Sequence, residues 1–187
     1  MKVTPTSLPE VLLVEPDVFG DPRGFFLETW ARERYAAIGI PCEFVQDNLS
    51  RSSRGVLRGM HLQNPFGQDK LVSVVSGEVF DVAVDLRVGS PRFGRWVGVT
   101  LSSENKHQLF IPAGFAHGFC VTSDDAIFAY KCSDRYHPET ELGFIWNDPD
   151  VGIAWPLTGP VSLSKKDAAY PRLAEIPHSR LIRHAAR

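Results

Sequence analysis

Gly55–Glu78 reads GVLRGMHLQNPFGQDKLVSVVSGE and sets polar chemistry into apolar strand sequence. His61 lies at its centre. It follows Gly55-Val56-Leu57-Arg58-Gly59, where two glycines permit close backbone approach and the apolar residues between them suit a buried strand. A second unit, Ile111-Pro112-Ala113-Gly114-Phe115-Ala116-His117, brings another histidine behind a Pro-x-Gly turn. Most histidines in globular chains are packing residues with both ring nitrogens satisfied locally, and His107, His137, His178 and His184 are read that way. His61 and His117 stand apart, because each follows a glycine-punctuated apolar strand in which a polar ring must face something.

Working outward, Leu71–Arg87 (LVSVVSGEVFDVAVDLR) has a strong β pattern, with Gly77 expected to turn a hairpin. Further strands are expected at Val11–Val14, Phe25–Trp30, Trp96–Leu101, His107–Pro112, Gly118–Val121 and Ala126–Lys131. Ala31–Ile38, closed by Gly39, predicts a helix, and Leu163–Ala169 the start of a short one. Residues 1–10 read as a tether, Arg51–Arg54 as a polar loop and His178–Arg187 as a basic tail. Fourteen prolines and fifteen glycines cut the chain into short segments, and there is no βαβ alternation. About ten short strands with a repeated strand-turn-histidine unit point to an all-β jelly-roll barrel.

The length of 187 residues suits one buried core without a shift in composition, so a single domain over 1–187 is expected. A net charge of −2 gives no general reason to bind nucleic acid or membranes. The start, MKVTPTSLPE, has no apolar run of signal-peptide length, and no stretch is apolar enough to cross a bilayer, which leads to a cytoplasmic expectation. Cys42, Cys120 and Cys132 lack metal-motif spacing and are read as free thiols.

Metal-binding double-histidine barrels present His-x-His and a carboxylate from the first unit. Here that unit reads His61-Leu62-Gln63, with Lys70 as the nearby charge, so no metal is expected. A buried histidine beside a cation instead suits proton abstraction next to a carbonyl, with the cation stabilising the enolate oxygen. His61 is the candidate base and Lys70 its electrostatic partner. A carboxylate on the far imidazole nitrogen would fix the tautomer, and Asp167 is a candidate. Tyr130, among the apolar residues of AIFAYK, could return a proton from the opposite face; a packed core tyrosine is an equal reading. Arg23, Arg51, Arg54, Arg58 and Lys166 offer charge for an anionic ligand.

These residues resemble a family. The stretches GVLRGMHLQ, QDKLVSVVSGEVFDVAVDLRVGSPRFG, IPAGFAHGF, YKCSDRYHPETE and WNDPDVGIAWP, together with DPRGFFLE at Asp21–Glu28 and LSKKD at Leu163–Asp167, are similar to those of the dTDP-4-dehydrorhamnose 3,5-epimerases, the metal-free sugar-nucleotide branch of the cupins. The resemblance implies a cupin jelly roll, a homodimer whose N-terminal strands join the partner's sheet, and a dTDP-4-keto-6-deoxy-hexose substrate inverted at C3 and C5 without a cofactor. It further implies that His61 is the proton acceptor paired with Asp167, that Tyr130 is the donor and that Lys70 lies near the enolate oxygen. The ligand positions it implies are Arg23, Glu28, Gln46, Asp47, Asn48, Arg58, His117, Tyr136, Glu141 and Lys166. Two positions depart from the family pattern. Met60 replaces a common leucine with little change in volume, and Arg135 stands where a second aromatic is common. Because Arg135 adjoins Tyr136, a single-centre epimerase or a 3,4-ketoisomerase is the nearest rival reading, followed by a cupin that binds the sugar nucleotide without turnover.

Overall fold

The computed structural model describes residues 1–184. Thirteen strands are found among them. A six-stranded sheet is built from β1 (Lys2–Pro5), β2 (Leu12–Glu15), β10 (Gln108–Ile111), β7 (Lys70–Ser76), β12 (Asp125–Cys132) and β5 (Gln46–Ser53), in that spatial order. A five-stranded sheet has the order β13 (Glu141–Gly143), β6 (Leu57–Gln63), β11 (Phe115–Val121), β8 (Glu78–Asp85) and β9 (Trp96–Ser102). A separate ribbon pairs β3 (Val18–Asp21) with β4 (Gly24–Leu27). This is the expected all-β cupin jelly roll, with two short α-helices, α1 (Arg32–Ala37) and α2 (Lys165–Ala168), near the predicted positions.

The period-2 alternation of the strands explains how the sheets face each other. On β12 the side chains of Ala126, Phe128, Tyr130 and Cys132 share one face, and those of Phe128 and Phe119 stack at 4.2 Å between ring centroids in the core between the sheets. β8 is buried on both faces. Val79 and Ala83 join that core, while Val82 and Val84 pack outward against Leu173, Ile176 and Leu181 of the C-terminal segment. A third cluster places Tyr35 of α1 and Ile40 against Val14, Leu71 and Phe110. Each fully buried aliphatic or aromatic side chain contributes about 1.5–3 kcal/mol, so the two outer clusters secure the segments that close the barrel from outside.

The structure corrects several local expectations. Gly77 does not turn a hairpin: β7 pairs with β10 and β12, whereas β8 pairs with β11 and β9, so the chain crosses here from one sheet to the other. Its φ of +78° and the 2.0 Å separation that a Cβ would have from the Asp125 carbonyl explain the glycine. Arg51–Ser53 belong to β5, paired with Asp125–Ile127, rather than to a loop. Residues 1–10, expected as a tether, contain β1 and the core side chain of Leu8. In the expected tail, residues 178–184 are anchored by Leu181 in the core and by a bridge between Val88 and Arg183, because the edge near Val88 has unpaired backbone groups to satisfy. The rest of that tail, 185–187, lies outside the described residues. The strand expected at Phe25–Trp30 ends at Leu27.

Candidate active site

The two histidines meet. His61 on β6 and His117 on β11 are direct partners in the antiparallel register. The next pair is Phe119 with Arg58, so three steps along β6 answer two along β11, a bulge with one extra residue on β6. Strict alternation would send Arg58 and His61 to opposite faces; the bulge lets both line the same cavity. Gly59 allows it. Its φ is +130°, and a Cβ there would come within 2.6 Å of the Gly118 backbone.

The cavity lies between the sheets, with a volume of about 310 Å³. Arg58, His61 and Gln63 of β6 and His117 of β11 form one wall, and Tyr130, Cys132 and Lys70 of β12 and β7 the other. Gln46, Asn48 and Ser50, alternate residues of β5, extend the second wall. Glu141, Tyr136 and Lys166 stand at its polar edge, and Phe119 and Phe128 supply apolar lining.

His61 Nε2 lies 2.6 Å from Asp167 Oδ1. Burial raises the Asp167 carboxyl, but the hydrogen bond and charge of His61 outweigh it and hold the group below its ordinary value. Ser164 caps α2 by accepting a hydrogen bond from the Asp167 amide at 3.0 Å, which fixes where the carboxylate points. An ionised Asp167 can only accept, so Nε2 carries the proton of this bond and Nδ1 is the nitrogen with a free lone pair in the neutral ring.

His117 has a parallel arrangement, its Nε2 lying 2.9 Å from Asp81 Oδ2. Burial pushes the Asp81 carboxyl up, against the opposing pull of His117 and Lys70. Burial likewise lowers the Lys70 ammonium, opposed by the neighbouring Cys132, Glu141 and Asp81 side chains, and raises the Tyr130 phenol. Glu141 accepts from Lys166, Tyr170 and Tyr136; these donors outweigh its burial and hold its carboxyl at about 2. The Tyr170 ring stands edge-on to His61, with centroids 5.6 Å apart. Among the described residues, no group of three or more His, Cys, Asp or Glu side chains is placed to hold a metal ion.

A sequence model of the dTDP-4-dehydrorhamnose 3,5-epimerases matches residues 5–175. The chain belongs to this family. A dTDP-4-dehydrorhamnose 3,5-epimerase from Escherichia coli K12 is 52% identical over 184 residues, covering 97% of this chain and 100% of that protein. One from Neisseria gonorrhoeae is 55% identical over 185 residues; the match covers 97% of this chain, which spans only 55% of that longer relative. The crystal structure of a dTDP-6-deoxy-D-glucose-3,5-epimerase from Legionella pneumophila, in complex with dTDP-4-keto-L-rhamnose, is 54% identical and superposes with a TM-score of 0.97 over 99% of each chain.

Against that family background, the cavity brings together Gln46, Asn48, Arg58, His61, Lys70, His117, Tyr130, Tyr136, Glu141 and Lys166, with Asp167 directly behind His61. It does not include Arg23, Glu28 or Asp47. Arg23 is exposed at the β3–β4 turn, bound to Asp21 at 2.5 Å; Glu28 pairs with Arg34; and Asp47 faces outward to Lys131 at 3.0 Å. Sequence reading missed Asp81, Gln68, Cys132 and Tyr170. Asp81 carried a signal, an acid set inside the apolar run VFDVAVDL, where a buried charge needs a partner. Tyr170 carried none, since its place depends on where the segment after α2 runs.

Proposed function

We propose that this chain is a 3,5-epimerase of dTDP-4-dehydro-6-deoxy-D-glucose, giving dTDP-4-dehydro-L-rhamnose. The observation that carries the reading is the His61–Asp167 pair on one wall of the cavity, with Tyr130 and Lys70 on the other. The C4 ketone acidifies the neighbouring C–H bonds. His61 Nδ1 takes the C3 proton, the C–H electron pair enters the ring as an enolate, and negative charge develops on the C4 oxygen, which the Lys70 ammonium stabilises. Asp167 stabilises the imidazolium that forms. Tyr130, kept protonated by its raised pKa, returns a proton from the opposite face. Proton exchange with water restores His61 and Tyr130, and a ring flip then offers C5 to the same groups. Arg58 and Lys166 are assigned to the diphosphate end of the ligand, where binding energy orients the reacting carbons.

The homodimer belongs to the same proposal. The β3–β4 ribbon displays Phe19, Phe25 and Phe26, each at least 60% exposed, beside Arg23. Such a patch supports pairing with a second copy, which would bring Arg23 and Glu28 toward a ligand. No helix among the described residues is long and apolar enough to cross a membrane, and a cytoplasmic location agrees with three free thiols.

The test is incubation with dTDP-4-dehydro-6-deoxy-D-glucose in deuterated water, with proton NMR following C3 and C5. Label at both carbons, abolished by His61→Ala, is expected. Label at C3 alone would replace the reading with single-centre epimerisation, and label at neither would reject it.

A further inference from the structure

Gln63 lines the cavity but spends its amide elsewhere. It is 4% exposed, and its Nε2 donates to the carbonyls of Phe66 at 2.9 Å and Arg135 at 3.2 Å. Its Oε1 accepts from the His137 amide at 2.8 Å. Arg135 and His137 bracket Tyr136, so one side chain holds the peptide groups on both sides of that residue. The Tyr136 amide itself donates to Gln46 Oε1 at 2.9 Å, and Gln68 holds the Asp134 carbonyl at 2.8 Å.

These bonds matter because Tyr136 is held by hydrogen bonds to side chains rather than by regular structure. Residues 133–137 belong to no strand, and Tyr136 is 49% exposed, so neither a ladder nor burial sets its place. The Tyr136 hydroxyl nevertheless meets Glu141 at 2.8 Å at the edge of the cavity. Gln63 also ties this segment to the turn at Phe66, whose ring stacks on His137 with centroids 4.4 Å apart. Both Nε2 donors of Gln63 are therefore directed at loop backbone rather than at a ligand.

We propose that Gln63 is a positioning residue that sets the Tyr136 wall of the cavity, an inference that rests on the epimerase reading for its kinetic consequence. Losing the amide removes the restraint on both sides of Tyr136 and leaves the Gln46 bond to hold its amide, and Tyr136 then samples positions away from Glu141. Tight grip on the ligand is lost before the chemistry at His61 is touched.

The experiment measures kcat and KM for deuterium exchange with Gln63→Met, Tyr136→Ala and the double variant. Gln63→Met is nearly isosteric and is expected to lower kcat/KM at least tenfold, chiefly through KM, in the otherwise unchanged protein. In the Tyr136→Ala background the same substitution is expected to change kcat/KM less than twofold. A fall that persists in full in that background, or no fall in either, overturns the proposal. Hydrogen exchange of the His137 amide gives a readout that needs neither activity nor a folded variant. Protection in the unaltered protein is expected; exchange at the free-peptide rate overturns the proposal, and this result stands even if no epimerase activity is found.

Discussion

Asp167→Asn isolates the charge behind His61, the proposed base. The carboxylate oxygen lies 2.6 Å from His61 Nε2, and the side chains of Asp167 and His61 are 5% and 25% exposed, so water screens the pair poorly. Asparagine keeps the shape and removes the charge. If its oxygen accepts from Nε2–H, a charge-assisted bond of about 1.5–3 kcal/mol becomes a neutral one of about 0.5–1.5 kcal/mol. The difference, about 1–2 kcal/mol, is lost from the transition state in which the imidazolium forms, which slows proton abstraction about 5- to 30-fold. If the amide nitrogen turns to the ring instead, Nε2 must accept, the proton moves to Nδ1 and the base is disabled. The loss then exceeds about 100-fold. The assay is the first-order appearance of deuterium at C3 with saturating substrate, with the melting temperature confirming a folded protein. A folded Asp167→Asn protein exchanging within twofold of the unaltered rate would refute the assignment of Asp167 as the partner of the base.

Glu141 links the site to acid stability. Its folded-state value of about 2 lies below the ordinary 4.5, so the ionised form stabilises the fold above pH 4.5, and that contribution is lost as pH falls toward 2. The full linkage is about 3 kcal/mol at pH 7, and allowing for the half-exposed Lys166 reduces it to about 1–2 kcal/mol. Urea unfolding should therefore show Glu141→Gln less stable by that amount at pH 7, with the gap at least halved at pH 3; a constant gap would contradict the linkage. Gly77→Ala should cost about 2–4 kcal/mol in the same measurement, because its Cβ would lie 2.0 Å from the Asp125 carbonyl at a φ of +78°. A change under 0.5 kcal/mol would show that the sheet-to-sheet corner relaxes freely.

Much of this protein is decided by short-range pattern. Alternation in LVSVV and EVFDVAV makes strands whatever their partners, and glycine next to apolar residues around His61 and His117 marks where polar groups enter a buried sheet. Residue chemistry also favours the reading of a base with a cation over that of a metal site, because glutamine at position 63 and lysine at position 70 make poor ligands for a divalent ion. Local pattern cannot assign strands to sheets. Ser76-Gly77-Glu78 is compatible with a hairpin, yet the partners available to β7 and β8, dozens of residues away, send them into different sheets. Nor does a period of two foresee a bulge, so only the paired strands show that Arg58 and His61 share a face. The bonds that define the site, His61 with Asp167, His117 with Asp81 and Gln63 with the peptides flanking Tyr136, join segments 36–106 positions apart. Sequence supplied the side chains; which polar groups satisfy one another was decided by folding, since a buried donor or acceptor takes whichever partner the closed barrel brings within reach.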